Sequence, residues 1–132
     1  MVTITETILR SIARQKSPVV LLRDFEHFGS APAVSRAFAD AVSRGRLIRL
    51  GAGVYVKAQN QGGRPVMAYS FNSLVIEALN RLGIRYELSP LMKDWLSGKT
   101  DQIPTRLRIK TLDRSRRKMS YGRLTVEYVS NF

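Results

Sequence analysis

The sequence predicts an α+β fold in two halves, on three observations: apolar residues at helical spacing near the start, a glycine-containing hairpin pattern around residue 50, and strict two-residue alternation in the tail. Its 132 residues fit one ordinary domain or two very small ones. Hydrophobic residues make up 44% and charged residues 24%, ordinary globular usage that can build a core.

In the first half, Ile4, Ile8 and Ile12 recur every four residues with Leu9 and Ala13 alongside, while Glu6, Arg10 and Arg14 fall opposite. That pattern predicts a helix, capped by Thr3 or Thr5 and stopped at Ser17-Pro18. Val19-Val20-Leu21 reads as a short buried strand, followed by a brief helix around residues 22–28 that ends at Gly29. Ser30 is the expected N-cap of the next helix, and Pro32 is tolerated in its first turn, where backbone N–H groups lack intrahelical partners. Val34, Ala37, Phe38, Ala41 and Val42 share the buried face of this helix, opposite Pro32, Ala33, Ser35, Arg36, Ala39, Asp40 and Ser43. After Arg44-Gly45, strands over 47–50 and 54–57 flank Gly51-Ala52-Gly53 as a β-hairpin. Helix, short strand, helix, helix and hairpin is the order of a winged helix-turn-helix, assigned to residues 1–60.

The stretch 59–63, Gln-Asn-Gln-Gly-Gly, is polar and glycine-rich and reads as a linker or a long surface connection. Beyond it, residues 61–132 are expected to form a small α/β C-terminal half ending in antiparallel strands. Phe71, Leu74, Val75, Ala78, Leu79 and Leu82 give a helical stripe closed by Gly83, and 84–88 is strand-like. Ser89-Pro90 starts a short helix with Leu91, Met92, Trp95 and Leu96 turned inward. In the tail, Arg106, Arg108 and Lys110 alternate with Leu107, Ile109 and Thr111, so three cations share one face. Arg114, Arg116, Arg117 and Lys118 crowd the following turn, and Tyr121-Gly122 joins 118–120 to a last antiparallel strand with Leu124, Val126 and Tyr128.

Lys+Arg total 22 against 10 Asp+Glu, a formal charge of +12 that self-repels unless a polyanion is the working partner. Residues 1–60 hold 9 basic and 4 acidic residues, and 61–132 hold 13 and 6, so both halves share the excess. Double-stranded DNA is the leading partner. Ala33, Ser35 and Ala39 are small enough to let a helix backbone lie deep in a major groove about 12 Å wide, and Arg36 has the fork that pairs with guanine O6 and N7. Ser30 and Pro32 open that helix at the duplex. Arg44, Arg46, Arg49 and Lys57, in and beside the hairpin over 47–57, fit phosphate contacts. An ordinary solvated helix and hairpin would carry the same residue types. Eight of the 22 basic residues lie between Arg106 and Arg123 against one acid, Asp113. In that region Arg106, Arg108, Lys110, Arg116 and Arg117 can track phosphates, dock an acidic protein or simply be solvated.

Other function classes lack their groups. The chain has no cysteine, which removes disulfides, thiolate chemistry and Cys-type zinc sites and suits a reducing cytoplasm. No apolar run approaches the roughly 18 residues of a membrane span, and the opening lacks the order of a signal peptide, so a cytoplasmic protein without membrane contact is expected. His27 is the only histidine, at a helix end and better suited to a surface or capping role than to a general base. Asp24 and Glu26 point about 200° apart if helical, and no third acid stands at metal-ligand spacing. Phosphate-binding glycine loops are missing. The reading is a non-enzyme without cofactor or metal.

The run Phe28-Gly29-Ser30-Ala31-Pro32-Ala33-Val34-Ser35-Arg36-Ala37-Phe38, continuing through Gly45-Arg46-Leu47-Ile48-Arg49-Leu50-Gly51-Ala52-Gly53-Val54-Tyr55, resembles the winged-helix domain of AbiEi-type antitoxins of type IV toxin–antitoxin systems, most closely their short stand-alone relatives. Asp101-Gln102-Ile103-Pro104-Thr105-Arg106 and the later Gly122-Arg123-Leu124-Thr125-Val126-Glu127 are similar to the second half of those relatives. Full AbiEi proteins are longer, with a larger C-terminal antitoxin domain. The resemblance implies a transcriptional autorepressor that binds the operator of its own operon and counters a nucleotidyltransferase-like toxin, its cognate partner. It implies a recognition-helix role for Ser35 and Arg36 and a wing role for Arg46, Arg49 and the 51–53 turn. Two rivals remain: an adaptor that engages an acidic protein with DNA incidental, and an RNA-associated basic protein, for which exposed aromatic pairs are not evident.

Overall fold

The computed structural model describes residues 3–132, and its first element, α1 (Ile4–Arg14), begins at a reciprocal cap. The Thr3 hydroxyl accepts from the Glu6 N–H at 3.1 Å while the Glu6 carboxylate accepts from the Thr3 N–H at 3.4 Å, satisfying two of the donors that a helix start leaves over. Ile8 and Ile12 are the buried residues of this helix. At its other end the Gln15 amide donates to the carbonyls of Ser17 and Val19, which leads the chain directly into β1 (Val19–Leu21), buried at all three positions. The expected brief helix is a 3-10 helix, Leu22–Phe28, with Phe25 as its buried side chain.

Helix α2 (Ala31–Ser43) buries Val34, Ala37, Phe38 and Ala41, the spacing read from the sequence. It is followed by β2 (Leu47–Gly51), β3 (Val54–Gln61) and β4 (Arg64–Met67). These strands make an antiparallel sheet in the order β1-β3-β2, with β4 also on β3. Ile8, Ile12, Val20, Phe25, Val34, Ala37, Phe38, Ala41, Leu47 and Tyr55 form the core. Phe38 sits among rings, its centroid 5.5 Å from Phe25 and 4.9 Å from Tyr55, so α2 is held to the sheet by aromatic packing.

Residues 59–63 are not a linker. They complete β3 and turn into β4 in a ladder running from Ala58↔Met67 to Gln61↔Arg64. The chain divides into two compact units after this ribbon, one ending at Ser70 and the other Phe71–Phe132, instead of at 60/61.

In the second unit α3 (Phe71–Leu82) buries Phe71, Leu74, Val75, Ala78 and Leu79. The strands are β5 (Tyr86–Leu88), β6 (Leu107–Thr111), β7 (Ser120–Tyr121) and β8 (Leu124–Tyr128), in the order β5-β6-β8-β7. The expectation of a wholly antiparallel tail fails at one pair: β6 and β8 run parallel, from Leu107↔Val126 to Ile109↔Tyr128. Residues 112–123 are long enough to cross over, and β7 folds back onto one edge of β8, which leaves the other edge to β6. Alternation fixed the faces correctly, with Leu107 and Ile109 buried.

Helix α4 (Pro90–Leu96) is capped as expected, the Ser89 hydroxyl accepting from the Met92 N–H at 3.2 Å. Only Met92 of its inward set is buried; Trp95 is half-buried, and Leu91 and Leu96 are 40% and 49% exposed. Among the described residues the chain is thus mixed α+β, with five helices and largely antiparallel sheets.

Candidate nucleic-acid interface

The site begins with the cap of α2. The Ser30 hydroxyl accepts from the Ala33 N–H at 3.3 Å, so Ser30 serves the helix start, and Ala33 is half-buried in the first turn. Because Val34, Ala37, Phe38 and Ala41 fix one side in the core, helical geometry turns Pro32, Ser35, Arg36 and Ala39 outward, and all four are exposed. The Arg36 guanidinium makes no hydrogen bond or ion pair among the described residues.

The hairpin beside α2 turns at Ala52-Gly53, where Gly53 has φ +70, a left-handed conformation that glycine adopts without steric cost. Its carbonyl accepts from the Leu22 N–H at 3.0 Å, anchoring the turn to the start of the 3-10 helix. Arg46 and Arg49 are exposed and carry no ion pair among the described residues. Arg44 is engaged, 2.8 Å from Asp40 one helical turn earlier. Lys57 departs from the sequence expectation of a phosphate contact. It is half-buried, and its ammonium donates to the carbonyl of Gln15, where the negative end of the α1 dipole adds to the attraction.

In the second unit two of the three expected cations have an ion pair. Arg106 and Arg108 lie 4.0 and 3.5 Å from the Glu127 carboxylate of β8, and Lys110, half-buried, stands opposite Glu87 of β5. Residues opposite each other in a ladder share a face, so Arg108 and Lys110 of β6 stand beside Glu127 and Glu87, with Arg106 just before the strand also reaching Glu127. Arg116 and Arg117 are exposed on the 112–119 loop, where the Arg117 carbonyl accepts the Tyr128 hydroxyl. Burial pushes the Tyr128 hydroxyl pKa up. The loop is stapled by Asp113, whose carboxylate accepts from the Ser115 N–H at 2.9 Å and the Arg85 N–H at 3.4 Å. Those bonds, Ser115 first, hold its pKa below the usual carboxylate value.

Sequence reasoning missed Glu87 and Glu127 as neighbours of the β6 cations, because their alignment needs the strand order. It also missed the exposed Gln59, Gln61 and Arg64 of the β3–β4 ribbon. His27 is exposed, its ring packed 4.5 Å from that of Phe28. Among the described residues no helix is long and apolar enough to cross a membrane. Compared with protein-family models and with curated proteins, the chain matches none.

Proposed function

We propose that this chain is a sequence-specific, double-stranded DNA-binding repressor of the winged helix-turn-helix type. In this reading α2 enters the major groove, the β2–β3 hairpin is the wing, and Arg46 and Arg49 grip phosphates beside it. The observation that carries the reading is the outward face of α2: small side chains around one unpaired guanidinium. Asp40, one helical turn beyond Arg36, is paired with Arg44, and after it the sequence has no acidic residue until Glu77. Autorepression of its own operon and opposition to a nucleotidyltransferase-like toxin in the cytoplasm extend the proposal through the resemblance to AbiEi-type antitoxins. No catalytic step is assigned to the chain.

If about five phosphates are neutralised, log K falls with log[salt] at a slope of roughly −4 to −5. The test is a gel shift with the DNA upstream of the gene, wild type against Arg36→Ala. Tight binding by the wild type and a weakened variant support the proposal; equal affinity for upstream and scrambled duplexes rejects it.

The adaptor reading is favoured by a different observation, the exposed apolar side chains Leu91, Leu96 and Ile103 of the second unit. Co-purification with the neighbouring gene product after nuclease treatment, with no preference for upstream DNA, would establish that reading instead.

A further inference from the structure

The β3–β4 ribbon has a composition that neither packing nor solubility requires. Gln59 stands opposite Val66 and Gln61 opposite Arg64, so Gln59, Gln61, Arg64 and the half-buried Val66 share one face, while Ala58, Asn60, Pro65 and Met67 share the other. The three polar side chains of the first set are exposed and make no hydrogen bond or ion pair among the described residues. Asn60 is spent differently: its side-chain oxygen accepts from the Gly63 N–H at 2.9 Å and closes the turn. Gly62 and Gly63, at φ +60 and +83, form the two-residue tip in a backbone that matches strand twist and excludes most other residues. A side chain built on either glycine would touch nothing within 4 Å, so the tip projects into open space.

The root of the ribbon lies at the basic corner that follows α2. The Ala58 N–H donates to the Arg46 carbonyl at 3.1 Å, and the Pro65 ring stands 3.8 Å from where a side chain on Gly45 would begin. Gly53 and Gly62 flank the two ends of β3, whose eight residues span about 26 Å. The wing and the ribbon therefore reach different places.

We propose that the β3–β4 ribbon is a second DNA-reading arm, which places Gln59, Gln61 and Arg64 against base edges beside the segment read by α2. A two-stranded ribbon fits the major groove, glutamine pairs bidentately with adenine, and arginine pairs with guanine. The inference rests on the DNA-binding reading of α2 and adds to it a second stretch of recognised sequence.

The experiment compares wild type, Arg36→Ala, Gln59→Ala/Gln61→Ala and Gln59→Ala/Gln61→Ala/Arg64→Ala by fluorescence titration and hydroxyl-radical footprinting. The probes are the upstream duplex, its scrambled counterpart and a structured RNA hairpin, and thermal melts verify that each variant is folded. One lost bidentate base contact weakens binding roughly 5- to 150-fold. The triple variant is therefore expected to bind the upstream duplex at least about 5-fold more weakly and to lose protection at one edge of the footprint. The double variant should keep its affinity for the scrambled duplex, since amides carry no charge. If Arg36→Ala weakens binding while both ribbon variants leave affinity and footprint unchanged, the arm is refuted and the α2 reading stands. A wild type that fails to prefer the upstream duplex overturns both. Loss confined to the RNA hairpin would make the ribbon an RNA contact and overturn the arm.

Discussion

The two units carry the same net charge and present it in opposite ways. Residues 1–70 hold 10 basic and 4 acidic residues, residues 71–132 hold 12 and 6, and each nets +6. In the first unit Arg36 of α2, Arg46 of the turn after it and Arg49 of β2 form no ion pair among the described residues, whereas in the second Arg106 and Arg108 lie beside Glu127 and Lys110 stands opposite Glu87 in the ladder. The single Glu127 carboxylate, 4.0 Å from one guanidinium and 3.5 Å from the other, offsets one of their two positive charges as felt at a Debye length of about 8–10 Å. Total charge names a class of partner, but strand register decides which cations that partner can feel.

The most severe way to break the contrast is to remove the support of the unpaired face. Phe38→Ala empties the space between Phe25 and Tyr55 and is expected to cost about 3–5 kcal/mol, read as a lower urea midpoint together with lost DNA binding. Next is the guanidinium itself: Arg36→Ala should weaken specific binding by about 1–3 kcal/mol, whereas Arg108→Ala changes DNA affinity by less than about 0.5 kcal/mol because its charge is already compensated. Titrations on one duplex give both numbers, and a larger effect at Arg108 would reverse the comparison. Glu127→Gln sharpens it from the other side. Freeing Arg106 and Arg108 should steepen the salt dependence of binding to scrambled DNA by up to about one unit, with a stability change under about 1 kcal/mol because the pair is solvent-exposed.

The smallest expected effect is in the 112–119 loop. The Asp113 pKa is lowered by folding, so its stabilising contribution is fully present above the unfolded carboxylate value. It is lost only as pH falls through the lower folded value. The Ser115 amide resonance, followed from pH 6 downward, should stay fixed until below the ordinary aspartate range near 3.8 and then move. Movement centred above that value would contradict the staple.

The core stripe of α2 was legible because one helix face packs and the other does not, which leaves a 3.6-residue period in Val34, Ala37, Phe38 and Ala41. The ribbon was illegible for the converse reason. Gln59, Asn60, Gln61, Arg64 and Pro65 are exposed, so there is no apolar alternation to mark strands, and the paired glycines imitate a linker. Lys57 could be read as a strand-end cation, but not that the Gln15 carbonyl, 42 positions away, waits for it. The parallel pairing of β6 with β8 and the alignment of Glu127 with Arg108 belong to the same class: contacts between distant segments leave no local trace. On the outward face of α2, Pro32, Ser35, Arg36, Ala39 and Ser43 are exposed, whereas Ala33 and Asp40 are half-buried, and Ser30 and Arg44 have partners in the helix itself.

The bond from Lys57 to the end of α1 makes that amine unlike the other five in the chain. Acylating reagents need a free, deprotonated nitrogen, and here the nitrogen is half-covered and held by a carbonyl oxygen. Lys16, Lys93, Lys99 and Lys118, all exposed, would be modified first. Late labelling at Lys57 would then register the moment when β3 parts from the first helix.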